Sequence, residues 1–147
     1  MDQQATYDDV NLILKLYELR REERMRKARN DVARMKQFSS LAESQAAYPP
    51  GSEGEASFRM VVSYWDMAAS FVTAGVLNQE LFLQSAGELL FVWTKISELV
   101  PEMRKTFNSP RYLSHMETVA KAAIDNMNRA NPTAYEAFSK RVKAMGA

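Results

Sequence analysis

The residues able to do chemistry are few and scattered. One histidine, His115, stands in a chain of 147 residues that has no cysteine. Thiolate zinc sites, iron–sulfur clusters, disulfides and cysteine nucleophiles are therefore excluded, and so is any site needing two histidines. Ser114 precedes His115 directly, and adjacent residues do not face each other on a helix, so the pair makes a poor start for a Ser-His-Asp triad. Two acids lie in apolar surroundings: Asp66 after Tyr64-Trp65, and Glu88 before Leu89-Leu90-Phe91. A buried carboxylate with a raised pKa could serve as a general base. The blander expectation is that each acid meets a cation such as Arg20, Arg59 or Lys95, or lies on a polar stripe. A di-iron bundle would need Glu-x-x-His, and the position three before His115 is Tyr112. No metal or cofactor is implied, and an enzyme is disfavoured.

The remaining chemistry is charge. Between Glu18 and Lys36, eight Lys or Arg meet four acids. Such a run could touch phosphates. Its acids are interspersed as (i, i+4) partners, Glu22 with Arg26 and Glu23 with Lys27, and residues 18–37 hold no aromatic for base stacking. A self-neutralising helix face is the expected reading, and nucleic acid is a disfavoured partner. The chain as a whole has net charge +1.

These residues have to be carried on helices. Apolar spacing is helical throughout, and 46% of the residues are hydrophobic with only five Gly and five Pro. The expected fold is all-α: one domain, an antiparallel bundle of four to five helices with a long N-terminal helix. Helix 1 should run over about 8–38, with a possible short helix at 40–48 from the capping box of Ser40 and Glu43. A loop at 49–57 and helices at about 55–74, 78–100, 110–130 and 132–145 complete the chain. The first three turns of helix 1 are apolar on two faces, Val10, Ile13, Leu14 and Tyr17 on one and Leu12, Leu16 and Leu19 on the other, so burial is expected there. Gly87 in a small-residue patch, Ser85-Ala86-Gly87, points to close approach of another helix.

No segment has the roughly 20 apolar residues of a membrane span. The opening MDQQATYDD is acidic and polar, unlike a secretory leader, which makes a cytoplasmic location the expectation.

The segments YELRREERMRKAR (17–29) and YWDMAAS (64–70) resemble uncharacterised bacterial helical proteins grouped as a domain of unknown function. The resemblance spans residues 8–107. It implies a helical fold and transfers no activity and no functional residue.

One segment asks for a partner. A compact chain of this length is roughly 38 Å across, from a radius of gyration near 15 Å, whereas a helix over 9–38 is about 45 Å long. Its charged half carries Met25, Ala28, Val32 and Met35 at spacings 3, 4, 3, with Arg29 and Lys36 among the flanking charges. Three coverings are open: the chain itself folding back, a second copy, or another macromolecule. The preferred expectation is an interaction or scaffold module, homo-oligomeric through an antiparallel pairing of helix 1. The alternative is a regulatory or small-ligand-binding helical protein, with Tyr64, Trp65, Trp93, Tyr112 and His115 as pocket candidates.

Overall fold

A computed structural model describes residues 4–146. The described residues form helices and no strand, in the order α1 (Tyr7–Arg21), α2 (Glu23–Arg34), α3 (Leu41–Ala47), α4 (Glu53–Thr73), α5 (Gln79–Leu83), α6 (Gly87–Ile96), α7 (Val100–Thr106), α8 (Ser114–Ala130) and α9 (Ala134–Ala144). The all-helical class is as expected. The helices are shorter and more numerous than the spacing alone predicts.

The expected rod over 8–38 is broken at Glu22, whose backbone is extended (φ −59°, ψ 144°). The cause is local. The Glu22 carboxylate accepts from the backbone N–H of Arg24 at 3.0 Å and of Met25 at 3.1 Å, which caps a new helix. The break redirects α2, which packs along α4. Met25, Ala28, Val32 and Met35 are consequently buried at 6%, 0%, 2% and 5% exposure, in one core with Val61, Trp65 and Ala68 of α4. The chain itself covers this seam, chiefly with α4 rather than with the segment 40–48.

Other boundaries follow from caps. Ser40 accepts from the Glu43 N–H at 3.1 Å and starts α3, one residue inside the expected span. Ser52 caps α4 two residues earlier than expected, and Gly75 at φ +80° lies just past its C-terminal end. The expected helix over 78–100 is divided into α5 and α6, and α7 begins at its last residue. Asn78 caps α5 through Leu81 N–H, and the chain leaves helical geometry at Ala86 (φ −110°, ψ 33°) before α6. Gly87 therefore opens a helix, and nothing lies within 4 Å of where its Cβ would be, so the expected close approach is absent. Residues 110–113 are turns rather than a first helical turn, and Leu113 is left-handed at φ +58°.

Helix α4 is the axis of the molecule, packed against both α2 and α8, with α6 and α9 closing the far side. A second, smaller apolar cluster of Phe38, Leu41, Leu99 and Met103 lies apart from this core.

Candidate functional site

The polar residues singled out from the sequence are already engaged within the fold. Glu88 accepts from Arg29 Nε at 3.0 and 2.9 Å through its two oxygens, and its Oε1 takes the Trp65 indole N–H at 3.0 Å. Arg29 also donates to the Arg20 carbonyl at 3.1 Å, which ties α2 to the end of α1. The Glu88 hydrogen bond raises the Arg29 guanidinium above its ordinary value. Arg29 is thus an internal strut that joins α2 to α6 and to the end of α1. Asp66 is half-buried on α4 and accepts from Met116 N–H at 3.0 Å, capping α8, whose own N-cap residue has no side-chain hydrogen bond. Neither acid stands free as a base.

Lys95 is the unexpected group. It is 5% exposed and donates to the carbonyls of Val32 (3.2 Å), Ala33 (3.1 Å) and Met35. These carbonyls belong to the last turn and C-cap of α2; the Val32 carbonyl also takes the Met35 N–H at 3.1 Å, so Lys95 chiefly satisfies the Ala33 and Met35 carbonyls at the helix end. Burial pushes the amine below the usual lysine value, and the three carbonyls offset this by using all three protons of the charged form.

Above Lys95 lies a groove of about 1010 Å³. Its floor is Val32 and Met35 of α2 with Ile96 and Lys95 of α6; α4 supplies one wall. Toward α3 it is lined by Phe38, Leu41, Tyr48, Phe58, Leu99 and Met103. Toward α8 it ends at the 109–115 segment, where Arg104 Nε holds the Tyr112 carbonyl at 2.8 Å and fixes the turn. Two edge-to-face pairs mark its limits, Phe38 with Tyr48 at 5.9 Å and Phe107 with Tyr112 at 5.5 Å. Burial, reinforced by the charges of Asp66 and Glu55, raises the Tyr112 phenol above its ordinary value.

The segment before α3 is held as a rim. Glu43 accepts from Ser39 Oγ at 2.6 Å and Ser39 N–H at 3.1 Å, and pairs with Lys36 at 3.0 Å. Those contacts lower the Glu43 carboxyl to about 2. Glu102 of α7 accepts from Leu41 N–H at 3.3 Å and anchors the other side of the rim.

The groove collects four cations, Lys36, Arg59, Lys95 and Arg111, against two acids, Glu55 and Asp66. Three of the cations are satisfied internally: Lys36 by Glu43, Arg59 by Glu55 at 2.8 Å, and Lys95 by carbonyls. The exposed Arg111 side chain makes no hydrogen bond or ion pair among the described residues. His115 Nδ1 is 2.7 Å from Thr73 Oγ1.

Of the pocket candidates read from the sequence, Tyr112 and His115 line the groove, and Asp66, Lys36, Val32 and Met35 join them. Tyr64, Trp65 and Trp93 do not: they are 8%, 0% and 6% exposed and belong to the main core. Tyr64 spends its hydroxyl on the Leu16 carbonyl at 2.5 Å. Sequence reading missed Phe38, Leu41, Leu99, Met103 and Arg111. Phe38, Leu41 and Leu99 share one signal, an apolar residue beside a helix break; Met103 inside α7 and Arg111 lack it, and no periodicity links 38–48 to 99–115. No group of three or more His, Asp or Glu residues able to hold a metal occurs among the described residues. No helix of the described residues is long and apolar enough to cross a membrane.

A family model described as a domain of unknown function, DUF4760, matches residues 5–123. The chain belongs to this family. All groove-lining residues, which fall between Val32 and His115, lie within the matched region, whereas α9 lies outside it. No curated protein and no solved structure matches the chain.

Proposed function

We propose that this DUF4760 member is a binding module for one elongated apolar molecule with an anionic end. The observation that carries the reading is the groove. A volume of about 1010 Å³ is at the upper end of small-molecule sites, and an apolar lining with a few convergent polar groups is the usual composition of such sites. The apolar end is the cluster of Phe38, Leu41, Leu99 and Met103; the anionic end is assigned to Arg111, the lining cation without an internal partner. A carboxylate suits the planar fork of a guanidinium.

A thermal-shift panel tests the reading with a saturated long-chain carboxylate, its methyl ester and the parent alkane. At a hundredfold excess over Kd a ligand specific to the native state adds about 2.7 kcal/mol. The carboxylate is expected to raise Tm most, and Arg111→Ala is expected to bring it down to the level of the ester. Ser63→Trp replaces an exposed lining residue on α4 and should block all three ligands without unfolding the protein. Equal shifts with and without Ser63→Trp would place binding elsewhere and reject the groove.

A further inference from the structure

One turn of α7 reaches both ends of the groove. Met103 lines it and is 3% exposed, in the apolar cluster with Phe38, Leu41 and Leu99. Successive residues leave a helix about 100° apart, so Glu102 and Arg104 depart on opposite flanks of Met103. Glu102 takes the Leu41 N–H at 3.3 Å, on the rim of the apolar end. Arg104 goes the other way: its Nε donates to the Tyr112 carbonyl at 2.8 Å and its Nη2 to the Glu117 carboxylate at 3.2 Å.

The segment that Arg104 holds is the one that carries Arg111. It is bounded by two left-handed residues, Asn108 at φ +51° and Leu113 at φ +58°. Asparagine tolerates that conformation; a leucine adopts it only where its surroundings impose it, and Leu113 is buried. Arg104 acts on both sides of the turn. Its own carbonyl accepts from the Ser109 N–H at 2.9 Å, and its guanidinium holds the carbonyl that precedes Leu113. Between these points the Tyr112 N–H donates to the Ser109 carbonyl at 3.1 Å and the Ser114 N–H to the Arg111 carbonyl at 3.0 Å. The Arg111 backbone is thereby fixed while its side chain stays without a partner.

We infer that Arg104 is the positioning residue of the anionic end: it sets where Arg111 stands relative to the apolar cluster, and so which ligand length the groove selects. The inference rests on the binding role proposed above. Met103 and Arg104 are neighbours on one helical turn, so the span from apolar cluster to guanidinium is set by a helix and not by a free loop. A shorter ligand leaves the cluster unfilled or its carboxylate short of Arg111, and a longer one is crowded. A turn held in place also lowers the ordering cost of meeting the carboxylate.

Two readouts on the intact chain test it. Without ligand, Arg104→Met should speed hydrogen exchange at the Tyr112 and Ser114 amides and leave the Val119 amide inside α8 unchanged. The ligands are saturated carboxylates of graded chain length and their methyl esters. The wild type should show one optimal length. Arg104→Met should weaken the best carboxylate about tenfold, flatten the optimum, and leave the matching ester within about twofold. Arg104→Lys keeps a donor for the Tyr112 carbonyl without the two-acceptor fork, and should recover most of the loss. A purely structural Arg104 would weaken ester and carboxylate alike. That result, unchanged exchange, or an unaltered carboxylate series in Arg104→Met would overturn the inference while the groove reading stands. A wild type that binds no member of the series would remove the binding role itself, and the inference with it.

Discussion

Lys95 of α6 reaches the Val32 carbonyl of α2 at 3.2 Å, inside the floor of the groove. One ammonium thus closes a helix end and joins two elements that share no chain connection. Lys95→Met keeps the volume and strands the buried Met35 carbonyl, which costs about 1–3 kcal/mol when left unpaired, while the Val32 carbonyl keeps the Met35 N–H. Chemical denaturation is expected to show a loss in that range, with ligand affinity falling too, since Met35 moves with the end of α2.

The burial of Ala28 against α4 separates an internal seam from an intermolecular one. Ala28→Met overfills a fully buried site and should cost about 1–3 kcal/mol. Because the covering helix belongs to the same chain, the midpoint of urea unfolding should shift equally at low and high protein concentration.

Glu88 supports Arg29 and the Trp65 indole together. The Glu88 and Arg29 side chains are 27% and 30% exposed, so breaking the pair sits between a surface and a buried ion pair. Glu88→Gln should cost about 1–3 kcal/mol. Glu55→Gln, whose partner Arg59 is 64% exposed, should cost under about 1 kcal/mol. Matched denaturation curves compare the two.

The rim of the groove should loosen in acid. Glu43 has a folded value of about 2 against an ordinary 4.5. A carboxyl lowered on folding contributes stability above its unfolded value and loses it as pH falls through the folded one. The Ser39 amide resonance should therefore move between pH 4.5 and about 2, and Glu43→Gln should remove that titration.

The sequence reading succeeded where spacing alone decides. The Met25–Ala28–Val32–Met35 spacing marks a covered face, although the cover is α4 of the same chain and not the second copy preferred from the sequence; Ser40 caps α3, and Pro49-Pro50 ends the segment before α4. It failed where a side chain overrides spacing. Glu22 breaks a helix without Gly or Pro by capping with its own carboxylate, and this one residue turns an overhanging rod into a folded-back core helix. The first turns of α1 then expose a face that was expected to be buried, since apolarity on two sides does not say which side the body occupies. Groove residues from 38–48 and 99–115 meet through turns, such as that held by Arg104 on Tyr112, which no periodicity encodes.

Calorimetric titration with a saturated long-chain carboxylate addresses the groove most directly. The account predicts one molecule bound per chain, a negative heat-capacity change from buried apolar surface, and loss of the signal in Ser63→Trp. Binding of several molecules per chain with undiminished heat in Ser63→Trp, or no heat at any temperature, would contradict it.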